Sequence, residues 1–283
     1  MNRLATAPLT LTCAGRPVAR YETRPDLPAR LAPRPYLHPV TTLAGTRVTE
    51  SAPADHAHHL GVSVAVPDVA GRNFWGGRTY VRGRGPTELD NHGEQRHVEF
   101  KLSDPDGFVE DLQWRADSGV LLRERRTVAV TRLGDDAWAL DLTFALTNPA
   151  AEDLTIGSPA TNGRPGAAYG GFFWRAPKEP AAPAVFTATA DGESAVHGRP
   201  ADWLALAGDG WTLVFAGATA ETRRDPWFVR TGEYPGVGSS LARDARLAIP
   251  AGGTAVRRVV TVVADGRLDR QRAASLVRKA VAA

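Results

Sequence analysis

Six of the seven histidines, His38, His56, His58, His59, His92 and His97, lie between positions 38 and 97. Imidazole exchanges protons or binds metal near neutral pH, so this concentration points to acid–base or metal chemistry. The densest piece is Asp55-His56-Ala57-His58-His59. Read as an extended segment, it sends His56 and His58 to one face and Asp55 and His59 to the other. Two of the three rings then meet at one point, and a metal site needs a further ligand from His38, His92 or Glu94. His56 and His58 are the candidate ligands for a divalent ion such as Zn, Mn or Fe, a choice the spacing leaves open. Without a metal, His38, His56, His59 and His92 are candidate proton carriers, with Glu94 as a carboxylate base.

Three further segments carry candidate chemistry. Asp90 to His97 reads as a polar loop that presents His92 and Glu94. In Tyr169-Gly170-Gly171-Phe172-Phe173-Trp174-Arg175, glycines precede aromatics and a cation, a pattern suited to a stacking wall with a charged donor. Tyr169, Trp174 and Arg175 are its candidate substrate contacts. Asp225-Pro226-Trp227-Phe228-Val229-Arg230 adds Trp227 and Arg230. The chain has no G-x-S-x-G nucleophile elbow. Gly83-Arg84-Gly85 lacks the strand–loop–helix setting of a phosphate loop. The single cysteine, Cys13, excludes an intramolecular disulfide and a Cys-rich metal centre.

These residues must be positioned mostly by strands, because the apolar period is two over much of the chain. Strands are expected at 9–14, 17–22, 36–42, 46–50, 60–66, 96–102, 108–115, 120–132 and 137–147. Trp138, Leu140, Leu142, Phe144 and Leu146 alternate with small or polar residues in the last of these. More strands follow at 171–175, 184–190, 202–207, 211–216, 245–249 and 254–264. A helix is expected at 268–282, with Leu268, Leu276, Val277, Ala280 and Val281 as its apolar stripe. The fold class expected is all-β: a single large antiparallel β-sandwich over residues 1–283, of the mutarotase/lyase-like supersandwich shape, with a C-terminal helix.

The chain has 283 residues, 43% hydrophobic and 23% charged, with 28 Gly and 21 Pro, a turn-rich globular composition. No apolar run nears the roughly 20 residues of a membrane-spanning helix, so no membrane partner is expected. The formal charge is +3, and all cations except Lys101, Lys178 and Lys279 are arginines. They are interleaved with acids, as in Arg123-Glu124-Arg125-Arg126, rather than gathered in the stripe that nucleic acid requires. The N-terminal stretch is broken by Pro and Thr, unlike a secretory leader, and a cytoplasmic location is expected.

Arg34-Pro35-Tyr36-Leu37-His38-Pro39-Val40, residues 41–45, Val48-Thr49 and Asp55 to Gly61 together resemble the opening of the DUF6807 family. Asn73-Phe74-Trp75, Gly170 to Arg175, Pro226-Trp227-Phe228, Pro250-Ala251-Gly252 and Ala264 to Leu268 extend the resemblance over most of the chain. Members often carry a PmoA-like methane oxygenase label. The resemblance implies a β-sandwich and a link to carbohydrate metabolism, and it carries over no catalytic assignment. Ala57 and Leu60 stand where relatives tend to carry Pro and Arg.

The leading functional expectation is a carbohydrate-processing enzyme, of epimerase, lyase or hydrolase type, acting on a small-molecule or oligosaccharide substrate. His38, His56, His59 or His92 and Glu94 would move protons. Arg175 and Arg230 would stabilise developing negative charge, and Trp227 would stack on a sugar ring. The alternatives are a divalent-metal-dependent enzyme and a non-catalytic sugar-binding protein.

Overall fold

The computed structural model describes residues 8–283. The chain enters as a hairpin, β1 (Leu9–Cys13) and β2 (Arg16–Glu22), then β3 (Tyr36–Val40) and β4 (Val62–Ala65). Short pieces β5 (Asp68–Val69), β6 (Thr79–Val81) and β7 (Gly85–Thr87) follow. Four long strands then run back and forth: β8 (Glu94–Asp104), β9 (Gly107–Ala116), β10 (Gly119–Arg132) and β11 (Ala137–Thr147). After them come β12 (Leu154–Gly157), β13 (Gly171–Arg175), β14 (Ala184–Thr187) and the single-turn helix α1 (Glu193–Val196). The remainder is β15 (Leu204–Ala207), β16 (Trp211–Gly217), α2 (Ala220–Arg224), β17 (Trp227–Arg230), β18 (Gly236–Ser239), β19 (Leu247–Ile249), β20 (Thr254–Asp265) and α3 (Arg270–Ala282).

The strands form two large antiparallel sheets. One has seven strands in the order β1-β2-β3-β4-β13-β18-β17, the other eight in the order β14-β15-β16-β20-β11-β10-β9-β8. They stack face to face as a sandwich, because each strand sends alternate side chains inward. Phe172 and Trp174 of β13 meet Phe215 of the opposite sheet at ring distances of 6.1 and 5.6 Å. Tyr21 on β2 meets Phe108 on β9 at 4.5 Å. Along β11, Leu140, Leu142, Phe144 and Leu146 face this core with half-buried residues between them. The alternation stops at Ala137 and Ala139, which are also buried, because α3 covers the outer face there.

Helix α3 buries Ala273, Leu276, Val277 and Ala280 against Ala205, Val214, Ala216, Val260, Val262 and Ala264. The small alanines let the helix approach closely, and burying Leu276 alone contributes about 2 kcal/mol. The helix begins at Arg270 rather than at 268, because the Asp269 side chain caps it, accepting from the Arg272 N–H at 2.7 Å. The expected strand at 46–50 does not form. Only an isolated bridge between Thr41 and Arg47 marks it. Sequence reading passed over the short strands β5, β6, β7, β12, β17 and β18 and the short helices α1 and α2, pieces too brief to show a period.

A polar cluster lies inside the sandwich beside its apolar core. Arg126 and Glu124, both inward-facing on β10, pair at 2.7 Å. Glu124 accepts from the Trp114 indole at 2.7 Å, and Arg126 donates to Gln95 at 3.2 Å and to the Tyr21 hydroxyl at 3.0 Å. Tyr21 donates to Glu110, whose other oxygen takes His97 Nδ1 at 2.6 Å. Burial pushes the Tyr21 phenol well above its ordinary range.

Candidate functional site

The cluster of His56, His58 and His59 lies against the outer face of the seven-stranded sheet, whereas His97 belongs to the polar cluster inside the sandwich. On β13 the inward Phe172 and Trp174 leave Phe173 and Arg175 pointing the other way. On β4, Val62 and Val64 are in the core, and Ala65 packs on the outer face with Phe173, Trp75 and Tyr234. The same alternation on β17 buries Trp227 and Val229 in the core, leaving Phe228 and Arg230 outside.

The histidine segment is folded into turns rather than extended. The His56 N–H donates to Pro53 O at 3.0 Å, His59 N–H to His56 O at 2.8 Å, and Ala52 N–H to His59 O at 2.7 Å. All three rings consequently gather. His56 stacks on His59 at 4.7 Å, His58 meets His59 edge-on at 4.7 Å, and His56 and His58 are 5.9 Å apart. The expectation that only two of the rings meet is thereby corrected: a turn abolishes the two-residue alternation on which it rested.

Aromatics surround the imidazoles. His59 lies 4.8 Å from Tyr234, 5.0 Å from Phe173 and 5.8 Å from Trp75. His56 lies 4.8 Å from Tyr234, and the Arg175 guanidinium sits 4.7 Å over the same ring. Arg175 is fully buried and donates from Nε and Nη2 to Glu50 Oε2 at 3.3 and 3.0 Å. The patch continues through Trp75 to Tyr169 at 4.6 Å and on to Phe228 at 5.4 Å. Phe228 carries Arg230 at 4.6 Å and His197 at 5.3 Å.

Glycine at position 76 makes room for this packing. Its φ is +100°, and a Cβ there would sit 2.7 Å from both His58 Cβ and Leu31 O. Arg34 braces the same loop from beneath, donating to His58 O at 2.7 Å and Trp75 O at 3.1 Å.

Burial governs the charge states. It lowers His58 from 6.5 to about 3, with Arg34, His56 and His92 adding to the effect, and it takes His59 lower still. Both rings are therefore neutral at pH 7. Burial likewise pushes the Tyr234 phenol up, so it too is neutral. His56 is 29% exposed, against the buried His59, and its Nδ1 lies 3.3 Å from Asp55 Oδ2.

The other expected site residues are dispersed. His38, held low by burial, faces Thr49 Oγ1 at 3.0 Å. His92 Nε2 lies 2.7 Å from Gly77 O, near enough to His58 to oppose its protonation. Glu94 opens β8 instead of lying in a loop, and accepts from Arg96 at 2.6 Å. Trp174 and Trp227, expected to face a ligand, point into the core, their indoles donating to Val48 O at 2.8 Å and Ala201 O at 3.1 Å. The reason is parity: Trp174 adjoins the outward Arg175, and Trp227 is three residues from the outward Arg230, so neither pair can share a face. Tyr169 is half-buried on the patch, and Arg230 lies 3.5 Å from Glu193. Among the described residues, no three His, Cys, Asp or Glu side chains are arranged to hold a metal ion. Trp75, Phe173, Tyr234, Glu50 and Arg34 were missed. Strand parity alone could have found Phe173.

Two stacked antiparallel sheets, with an imidazole–aromatic patch on the outer face of one, define a β-sandwich protein with a candidate small-molecule site. The chain belongs to the family of unknown function DUF6807, whose pattern matches residues 8–278. No curated protein matches it in sequence. Among solved structures, it is similar to a mutant heparan sulfate lyase HepC from Pedobacter heparinus, with a TM-score of 0.42 and 10% identity over 95% of this chain. The same lyase without that description gives 0.39 and 13% over 89%, and a further polysaccharide lyase gives 0.37 and 12% over 93%. The chain spans only 38%, 34% and 34% of these proteins' lengths. Among the described residues, no helix is long and apolar enough to cross a membrane.

Proposed function

We propose that the chain processes a carbohydrate at the imidazole–aromatic patch, with His56 as the group that moves a proton. The observation that carries this reading is the gathering of His56, His59 and the Arg175 guanidinium around one ring, Tyr234, with Asp55 Oδ2 3.3 Å from His56 Nδ1. His59 Nδ1 and Arg175 Nη1 are buried there without a hydrogen-bond partner, which buried polar atoms normally have, so the cluster is poised for polar chemistry rather than for packing alone. His56 has access to water and takes or returns the proton. His59, neutral and stacked behind it, fixes the ring that reacts. Arg175, held by Glu50, stabilises negative charge developing on a sugar oxygen. Tyr169 and Arg230 at the rim provide a ring face and a charged donor, the pairing that sugar recognition uses.

The test is a panel of monosaccharides and polysaccharides incubated in deuterated water and followed by NMR for new products or deuterium incorporation. Wild type should turn over at least one, and His56→Ala should lose roughly 100-fold or more of that rate. Full activity in His56→Ala removes His56 from the chemistry. Saturable binding without product or exchange assigns the patch to recognition alone.

A further inference from the structure

Strand β8 ends the eight-stranded sheet, so among the described residues one of its edges has no neighbouring strand. Pro33 O accepts the Gln95 N–H at 2.8 Å, and among the described residues this is the one backbone hydrogen bond that β8 makes beyond β9. At the other end the chain turns at Pro105-Asp106. Residues 96–104 therefore present a free row of backbone donors and acceptors, on which another strand can pair.

The side chains along this edge do not screen it. Leu102 and Val98 are the two most exposed large apolar side chains among the described residues, at 52% and 47%. Lysine commonly discourages pairing at an edge, but Lys101 is drawn aside, 2.6 Å from Glu99 and 3.7 Å from Asp111. Asp104 is exposed and makes no ion pair among the described residues.

We infer that β8 is a dimerisation edge whose partner is β8 of a second copy of this chain, paired antiparallel about a twofold axis at Phe100. Phe100 is the midpoint of 96–104, so an axis there uses the whole free stretch. Arg96 then faces Asp104 of the other copy, Val98 faces Leu102, and Glu99 faces Lys101, and symmetry makes each pair occur twice. Residues directly opposite in antiparallel strands share a face, so opposite charges meet and the exposed apolar side chains cover each other. An axis at Glu99 would set Arg96 against Leu102 and His97 against Lys101. One at Lys101 would set Val98 against Asp104. Phe100, half-buried, packs on His97 at 4.7 Å and on Phe108 at 5.5 Å, so its meeting with its own copy continues the sandwich interior across the interface. Strand β8 shifts register against β9 at His97–Glu99 and at Phe100–Leu102. Such bulges blunt an edge against a regular strand, but about this axis the irregular stretch 97–102 lies opposite 98–103 of the other copy, and the irregularities coincide.

The test is sedimentation velocity of the full chain over a concentration series, with Glu99→Lys and Lys101→Glu as variants. Their side chains are 54% and 44% exposed, so neither change touches the core. Wild type should dimerise. Each variant alone sets like charges opposite each other twice per dimer and should weaken association by roughly tenfold or more. An equimolar mixture of the two variants should recover the dimer, because every charge in the mixed pair again faces its opposite. Leu102→Asp should weaken association by a similar factor, and it decides against wild type if a charge variant fails to fold. A wild type that stays monomeric up to about 1 mM overturns the inference. A dimer indifferent to all three substitutions overturns β8 as its interface. Loss in the single variants without recovery in the mixture overturns the pairing about Phe100.

Discussion

His58 and His59 are the residues whose chemistry departs furthest from that of the free amino acid. Each is neutral in the folded chain far below the ordinary imidazole value of 6.5, His58 down to about 3, because burial and nearby cations oppose the charged form. In the unfolded chain both protonate near 6.5, so below that pH the unfolded state binds more protons. Their contribution to stability is therefore complete above about pH 6.5 and is lost as the pH falls toward 3. Between pH 6.5 and 5 the loss approaches about 1.4 kcal/mol per pH unit for each ring. Urea midpoints measured across that window should fall accordingly, and His59→Gln should remove about half of the slope. A slope unchanged by that substitution would place the acid sensitivity elsewhere. The same burial keeps His58 and His59 neutral, which leaves His56 as the imidazole proposed to move a proton.

At the scale of elements, the site is made by strands of fixed parity and two irregular connections. Strands β13 and β17 contribute Phe173, Arg175, Phe228 and Arg230 because those are the positions left over once the core has taken Trp174 and Trp227. The connections contribute what strands cannot. The turns at 53–59 fold three imidazoles together, and the segment after β5 brings Trp75 against His59. Gly76 is the hinge point of that segment. Gly76→Ala forces a side chain into positive φ and against His58 and Leu31. It should cost about 1–3 kcal/mol in denaturant-measured stability. A cost near zero would mean that the loop relaxes away from His58, and histidine ring resonances would shift with it.

Across the whole molecule, the sandwich is tied by polar as well as apolar contacts. The cluster of Tyr21, Glu110, His97, Arg126, Glu124, Trp114 and Gln95 joins β2 of one sheet to β8, β9 and β10 of the other. Arg126 is the cation that binds its two carboxylates into one group. Arg126→Met leaves Glu124 and Glu110 buried without it. The substitution should destabilise the fold by about 3–5 kcal/mol, read as a fall in urea midpoint. Joint replacement of Arg126 and Glu124 by apolar residues should recover part of that loss, because it removes both charges rather than stranding one. A single Arg126→Met variant with an unchanged midpoint would show that the cluster contributes little.

Local pattern was enough for much of this protein. The period-two stretches from Glu94 to Thr147, the closing strand at 254–265 and the terminal helix are legible because each buries side chains at a regular spacing. The segments Asp55 to His59 and Gly170 to Arg175 stand out by residue type alone. Tertiary structure decided the rest. Whether an aromatic on a strand faces the core or the outer side of its sheet depends on which side the second sheet lies, so Trp174 and Phe173 exchange roles. Glu124 and Arg126 look like surface charges until β2 and β9 supply Tyr21 and Glu110. His56, His58 and His59 meet in one cluster only because backbone hydrogen bonds curl 52–59, and Arg175 and Tyr234, about 60 residues apart in the chain, meet only because β13 pairs with β18. Spacing along a chain specifies a face once the backbone is regular; where it turns, contacts far off in sequence determine which atoms meet.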